Sequence, residues 1–457
     1  MKNTTRLLGY LAISMLLIYP LWAEPSAKMN TVLIICDDLG VGDVGCYYAK
    51  DNPTPFLDKL AASGLVHNRF YTYTPSCSPS RATLLTGKDA RTVGVDRVLM
   101  GSNKHSLEKS STTLGELFKR NGFKTGFIGK WHLGYGEDHD PLNHGFDYFF
   151  GHRGGKIDYY KYTDSAQKYE YDLWENRTPA YVDEYCTTEF ANRSAHFIAQ
   201  NALSPFFLYV SLNAPHWDNN GSVPAPKEYM ATLGPNPTPR EIYVGAMKAI
   251  DDCVKTIIEK LRQHKLMDNT VFIFTSDQGA WLKAGGSNGP LRGGKAEPGL
   301  FEGALRIPYI MLWPGRNDEL KAITKPADLS DVFPTLAANM GFRTDLGHYM
   351  GQDLFSPDER PIYFYSSRLG VQHEGWKLYL SKKPNGPMSL FNLANDPFEK
   401  NNLIKQAPER GQELLQLLTE YNASVAQRGR GTGHGGRGGR GQRPVRPGER
   451  QTSPGPG

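Results

Sequence analysis

"TVLIICDD", Thr31 to Asp38, is a run of apolar residues that stops at two adjacent carboxylates. Its alternate positions are equally apolar: Val32, Ile34 and Cys36 on one side, Leu33 and Ile35 on the other. A strand with one wet face alternates apolar and polar residues. A continuous run of this length is the pattern of a strand buried on both faces, as in a parallel sheet covered by helices.

Four further runs repeat the pattern: "KTGFIGKWHLG" (124–134), "PFFLYVSLNAPH" (205–216), "NTVFIFTSDQG" (269–279) and "RIPYIMLWPG" (306–315). Between them lie "TPFLDKLAASG", "TTLGELFKRNG" and the long "PREIYVGAMKAIDDCVKTIIEKLRQHKL", with helical spacing and Thr or Pro start signals. The alternation predicts an α/β domain with a large, mainly parallel sheet flanked by helices. We place this N-terminal catalytic domain at residues 24–350. From 351 to 427, short strands ("RPIYFYSS", "WKLYLSK", "MSLFNL") and a final helix near 408–425 predict a smaller C-terminal α+β subdomain.

Both ends of the chain differ from this body. Residues 1–23 place Lys2 and Arg6 ahead of an apolar run that ends at Ala23, the grammar of a cleaved signal peptide. The expectation is export to a periplasm or the medium, with an uncleaved anchor as the alternative. Residues 428–457 are rich in Gly, Arg and Pro, cannot form a core, and are expected to be disordered. This tail reads as a cationic arm for polyanionic polysaccharide or as an inert extension. It holds seven arginines and one acid, so the net charge of +5 belongs to it and the body is close to neutral. Bulk charge therefore gives no reason to expect a nucleic-acid partner. The five cysteines, Cys36, Cys46, Cys77, Cys186 and Cys253, are too few and scattered for a disulfide scaffold, and no CxxC pair indicates zinc.

Four of the five runs end in chemistry: Asp37-Asp38, then Lys130 and His132, then His216, then Asp277-Gln278. Ligands of open α/β sheets bind beyond the carboxyl ends of the strands. Asp37, Asp38, Asp277 and Gln278 offer hard oxygen donors, suited to calcium or magnesium. The alternative is that Asp38 caps a loop and Gln278 faces solvent. In "YTPSCSPSRATLLTG" (73–87), Ser78 as N-cap and Pro79 as first helical residue predict a helix ending at Gly87. Cys77 then lies at the positive end of the helix dipole, and Arg81 one turn in can meet the same anion. Lys295, on the glycine-rich "GPLRGGKAEPGLFEG", is a further cation for such a site. For His144, His152, His196 and Arg292 we expect ordinary structural roles.

These residues resemble the type I, formylglycine-dependent sulfatases of the arylsulfatase kind, within the alkaline phosphatase superfamily. The resemblance rests on "CSPSRATLLTG", which matches the C-x-P-S-R signature, and on "LIICDDLGVGDVGCYY", "TLGELFKRNGFKTGFIGKWHLG", "HGFDYFFG", "FFLYVSLNAPH" and "TSDQG". It continues through "GGKAEPGLFEGALRIPYIMLWPG", "DLSDVFPTLAANMG" and "LFNLANDPFEKNNL", covering about residues 29–425. It implies the alkaline-phosphatase-like fold and one calcium ion (Ca2+) held by Asp37, Asp38, Asp277, Gln278 and residue 77. It also implies conversion of Cys77 to formylglycine by a formylglycine-generating or sulfatase-maturing enzyme. The hydrated aldehyde would attack sulfur and then eliminate sulfate. Arg81 and Lys130 would neutralise the sulfate oxygens, His132 would assist the elimination, and His216 with Lys295 would serve the leaving oxygen.

The implied activity is that of a sulfuric ester hydrolase acting on a sulfated carbohydrate or aryl sulfate. The alternatives are a phosphodiesterase or phosphonate ester hydrolase of the same superfamily, and a silent carbohydrate-binding homologue. Departures from the family pattern are Gln278 in place of the commoner asparagine or histidine, "EGALR", and Trp217 directly after His216. In "GFDYFFGHRGGKIDYYKY", Asp158, Tyr159 and Tyr160 either contact sugar or pack.

Overall fold

The computed structural model describes residues 28–51, 53–101, 105–168, 170–344, 349–381 and 386–431. The signal-peptide reading and most of the tail lie outside these residues. Among them, the large sheet has strands β1 (Asn30–Cys36), β2 (Leu65–Val66), β3 (Lys124–Lys130), β4 (Tyr148–His152), β5 (Trp174–Glu175), β6 (Thr178–Pro179), β7 (Phe206–Ser211), β8 (Thr270–Ser276) and β9 (Tyr309–Leu312). Their spatial order is β2-β9-β8-β1-β7-β3-β4-β5-β6. The five central strands, β8 through β4, run parallel. The flanking pairs are antiparallel.

The run at 31–38 therefore lies in the middle of the sheet, between β7 and β8. Val32, Ile34 and Cys36 join one core, and Leu33 and Ile35 join the other. This two-sided burial is what the unbroken apolar run encodes. The run at 306–315 departs from the expected direction: β9 pairs antiparallel with β8. β4 is the parallel strand that the apolar runs did not reveal.

The longer helices are α1 (Cys77–Thr86), α2 (Cys186–Gln200), α3 (Pro239–Gln263), α4 (Val332–Asn339) and α5 (Pro408–Gly431). Phe190 of α2 and Ile250, Val254 and Ile257 of α3 cover the first face. Leu84 and Leu85 of α1 and Phe333 and Leu336 of α4 cover the second. Helix α3 begins in a full capping box, Thr238 with Glu241, and Pro239 takes the first turn, where no donor is needed. Among the described residues no helix is long and apolar enough to cross a membrane.

A second, antiparallel sheet follows, of β10 (Ile362–Tyr365), β11 (Leu369–His373), β12 (Trp376–Tyr379) and β13 (Ser389–Asn392). Leu414 and Leu418 of α5 pack on its Val371, Leu378 and Leu390. It is tied to the larger domain by an apolar cluster, Ile362 and Phe364 with Tyr71, Leu300 and Leu305, and by buried polar contacts. Lys377 Nζ meets Glu302 Oε1 at 3.0 Å and Glu399 Oε1 at 2.9 Å. Tyr421 of α5 donates to Asp89 Oδ2 at 2.7 Å. The final helix runs on to Gly431, past the 428 read as the start of the tail.

Candidate active site

Because the central strands are parallel, their carboxyl ends share one edge, and four of them deliver the residues singled out above. β1 runs into Asp37 and Asp38, β8 into Asp277 and Gln278, β7 into His216, and β3 ends on Lys130 with His132 beyond. Backbone bonds hold these loops together: Asp37 N–H donates to Ala214 O and Asp277 N–H to Cys36 O, both at 3.1 Å. Asp38 and His132 lie in the left-handed region, at φ 67 and 54. That conformation is uncommon outside glycine and persists where the surroundings hold it. Gly129 makes room for the edge: a Cβ there would stand 2.0 Å from Ser211 O on the neighbouring strand.

Cys77 opens α1 two residues earlier than Ser78-Pro79 predicts, with Ser76 as N-cap. The reason is the loop below. Ser80 donates to Thr74 O at 2.8 Å, and Ser78 Oγ accepts the Leu99 N–H at 3.1 Å, so Ser78 is engaged across the cleft and is not capping. The helix ends at Gly87 in the left-handed conformation, as its sequence predicts. Cys77 is buried at the positive end of α1, and burial pushes its thiol up.

Three cations are neutralised by three carboxylates. Arg81 donates through Nε to Asp277 Oδ2 at 3.0 Å and through Nη1 to Ser211 Oγ at 2.6 Å, and its Nη2 lies 3.5 Å from Asp37 Oδ1. Lys130 pairs with Asp37. Lys295 reaches both oxygens of Asp38 at 2.7 Å. Burial alone would raise Asp37, but the cations, Lys130 foremost and then Arg81, outweigh it and hold it well below the ordinary range. Burial raises Asp38 to about 6, against the pull of Lys295. Burial and the Asp37 charge raise Asp277 to about 7. His132 and His216 are held neutral, chiefly by burial and then by Lys130 and Lys295 respectively.

The histidines have defined free atoms. His132 Nε2 bonds Leu99 O at 2.9 Å, leaving Nδ1 buried and unpartnered. His216 Nδ1 bonds Trp217 O at 2.7 Å, leaving Nε2 free, 3.8 Å from Asp38 Oδ2. Asp37, Asp38 and His216 present possible ligand atoms within 4.8 Å of one another. Asp277 faces Arg81 and the Asp38 N–H, and Gln278 Nε2 donates to Asp38. Gln278 and Asp38 are thus buried, and the solvent-facing alternative for Gln278 does not hold.

All ten residues expected at the site collect here. A cleft of about 310 Å³ opens over Cys77, His132, His216 and Lys295. Its outer wall is Val98, Leu99, Met100, Tyr135 and Trp217. Sequence reasoning missed Ser211, which braces Arg81, and Asn213, a buried amide with neither atom bonded. Position at the end of an apolar run was their only signal. Asp158, Tyr159 and Tyr160 pack. Asp158 Oδ1 accepts the N–H groups of Tyr160 and Lys161, and the Tyr159 hydroxyl donates to His216 O at 2.7 Å. His144 and His152 are buried away from solvent. All five cysteines are free.

A parallel sheet that brings buried cations to a cysteine at a helix N-terminus is arranged to receive an anionic group. Comparison makes this specific: the sequence model of the family described as Sulfatase matches residues 29–342, and the chain belongs to that family. The human N-acetylgalactosamine-6-sulfatase is 34% identical over 370 residues, 74% of this chain and 68% of the human protein. Rat arylsulfatase G is 29% identical over 472 residues, 88% of this chain and 87% of its own. Among solved structures, Ps i-CgsB is 30% identical with a TM-score of 0.78, covering 86% of this chain and 92% of that one. That protein has also been solved in complex with k-i-k-neocarrahexaose. The chain is a sulfuric ester hydrolase of the alkaline phosphatase superfamily.

Proposed function

We propose that the enzyme removes sulfate from a sulfated carbohydrate, using a formylglycine made from Cys77 and one calcium ion. The observation that carries this reading is the placement of Cys77. It lies buried at the mouth of α1, inside C-S-P-S-R, on the same cleft as His132, His216 and Lys295. One feature fits a hard cation: Asp37 Oδ1 and Gln278 Oε1 are buried oxygens without a hydrogen-bond donor, beside the Asp38 carboxylate and the His216 imidazole. Asp37, Asp38, Asp277, Gln278 and residue 77 would hold calcium, which would supply Lewis-acid polarisation of a sulfate oxygen. Hydrated formylglycine would supply one hydroxyl to attack sulfur and a second whose deprotonation releases sulfate.

The other roles follow from free atoms and charges. Arg81 and Lys130 hold the sulfate oxygens. His132, neutral and with its Nδ1 lone pair unengaged, takes the proton of the elimination step. Lys295 stays protonated beside Asp38 and donates toward the leaving oxygen, with His216 Nε2 next to it. The carbohydrate reading draws on the names of the relatives above and on an open cleft with an apolar wall. Residues 1–23 direct export and are cleaved, which N-terminal sequencing of secreted protein checks. The 428–457 tail contacts polyanionic polysaccharide, which retention on a sulfated column with and without it checks.

Exhaustive chelation is expected to lower turnover of 4-nitrophenyl sulfate by at least about tenfold and the Tm by several degrees, with both restored by calcium. Turnover and Tm that survive metal removal would exclude the ion from this site. Faster hydrolysis of a phosphate diester than of the sulfate ester would favour the phosphodiesterase alternative.

A further inference from the structure

Trp217 touches both groups assigned to the leaving oxygen. Its indole stacks on the imidazole of His216 with ring centroids 3.9 Å apart and planes 19° from parallel. The ammonium of Lys295 lies 4.3 Å from the centroid of the same indole while bonding both oxygens of Asp38. Behind it, Trp281 packs on Trp217 at 4.1 Å and 45°, three residues beyond Gln278. The Trp217 carbonyl accepts the His216 Nδ1 proton at 2.7 Å, so residue 217 fixes the histidine through its backbone as well as its ring.

Lysine carries its charge on a flexible four-carbon stem, and two contacts to one carboxylate leave its direction loosely set. An aromatic face attracts an ammonium held over it and excludes water from that side. His216, Lys295 and Trp281 all pack against the indole. We infer that Trp217 is a positioning residue: it fixes His216 and Lys295 together toward the leaving-group oxygen. This deepens the proposed function, because it rests on His216 and Lys295 serving that oxygen.

A group that acts through the leaving-group proton has a signature that packing lacks. Its loss grows with the basicity of the departing oxygen, since a nitrophenolate leaves unaided and an alkoxide does not. The experiment uses full-length protein matured at residue 77, with nitrophenyl, phenyl and alkyl sulfate esters and a sugar sulfate as substrates. Trp217→Leu is expected to lower kcat less than about threefold on the nitrophenyl ester and about thirtyfold on the alkyl ester, with KM little changed. Trp217→Phe keeps an aromatic face and should stay within about threefold throughout. Trp217→Leu added to Lys295→Ala should cost less than Trp217→Leu does alone, because part of its effect runs through Lys295.

An equal loss on all three esters, a change confined to KM, or additive effects in the double variant would overturn the inference. A KM increase for a sugar sulfate alone would make Trp217 a substrate platform. Should Trp217→Leu fail to fold, the phenylalanine variant decides: a large loss in a folded protein excludes the positioning role. The underlying reading fails separately, if Lys295→Ala and His216→Ala lose the same factor on every leaving group. The double variant then still reports whether Trp217 works through Lys295.

Discussion

Cys77→Ala is expected to abolish sulfate-ester turnover, by about 10³-fold or more, while the protein still folds. The expected asymmetry has a structural reason. Cys77 takes part in no disulfide and sits at the first position of α1, where alanine is a good helix former. Loss of one buried sulfur in an otherwise unchanged helix costs little compared with loss of the nucleophile. Cys77→Ser separates the chemistry further. A serine hydroxyl has one oxygen, so a sulfate accepted there has no neighbouring hydroxyl to expel it, and the product should carry one retained sulfate. Mass spectrometry of the peptide Phe70 to Arg81, from protein made with a maturing enzyme, reads both points. Intact cysteine in fully active enzyme, or activity in Cys77→Ala, would remove formylglycine from the mechanism.

Arg81→Ala is expected to cost on both counts: about 10²–10³-fold in kcat and about 3–5 kcal/mol in stability. Arg81 is buried and bonds Asp277 and Ser211, with Asp37 within 3.5 Å. Removing it leaves Asp277, whose carboxyl burial and Asp37 already raise to about 7, without its nearest cation. Arg81→Lys retains charge but not the fork that reaches Asp277 through Nε and Ser211 through Nη1. It should recover part of the stability and little of the rate. Denaturant unfolding and kcat on the same preparations check the pair of effects. A fully stable, fully active Arg81→Lys would show that the guanidinium geometry is immaterial.

The strand-end residues were legible because of a regularity in the chain. In a parallel sheet, each buried strand is an apolar run, and its end is where polar residues resume. Asp37, Lys130, His216 and Asp277 stand at or just beyond such ends, so the candidate edge was readable from position alone. Lys295 was not legible in this way. It lies in a loop, and only the fold puts its ammonium on Asp38. The helix starts two residues before Ser78-Pro79 predicts, because the Ser78 hydroxyl serves Leu99 across the cleft and does not cap. Tyr159 looked equally suited to sugar or to packing, and a buried hydroxyl on His216 O decides for packing. β4 does not stand out as an apolar run because it is short and ends in Gly151-His152.

By itself the chain determined the α/β class, the two-sided burial of the 31–38 strand, the family signature around Cys77 and the edge on which chemistry collects. Each of these is local: it follows from periodicity, from where an apolar run stops, or from a contiguous motif. Tertiary structure alone decided which cation neutralises which carboxylate, the reversed direction of β9, the free atoms of His132 and His216, and the seat of Trp217 between His216 and Lys295. Those relations join residues up to 257 positions apart, as between Asp38 and Lys295. Spacing along a chain carries no information about distances that loop closure and packing set.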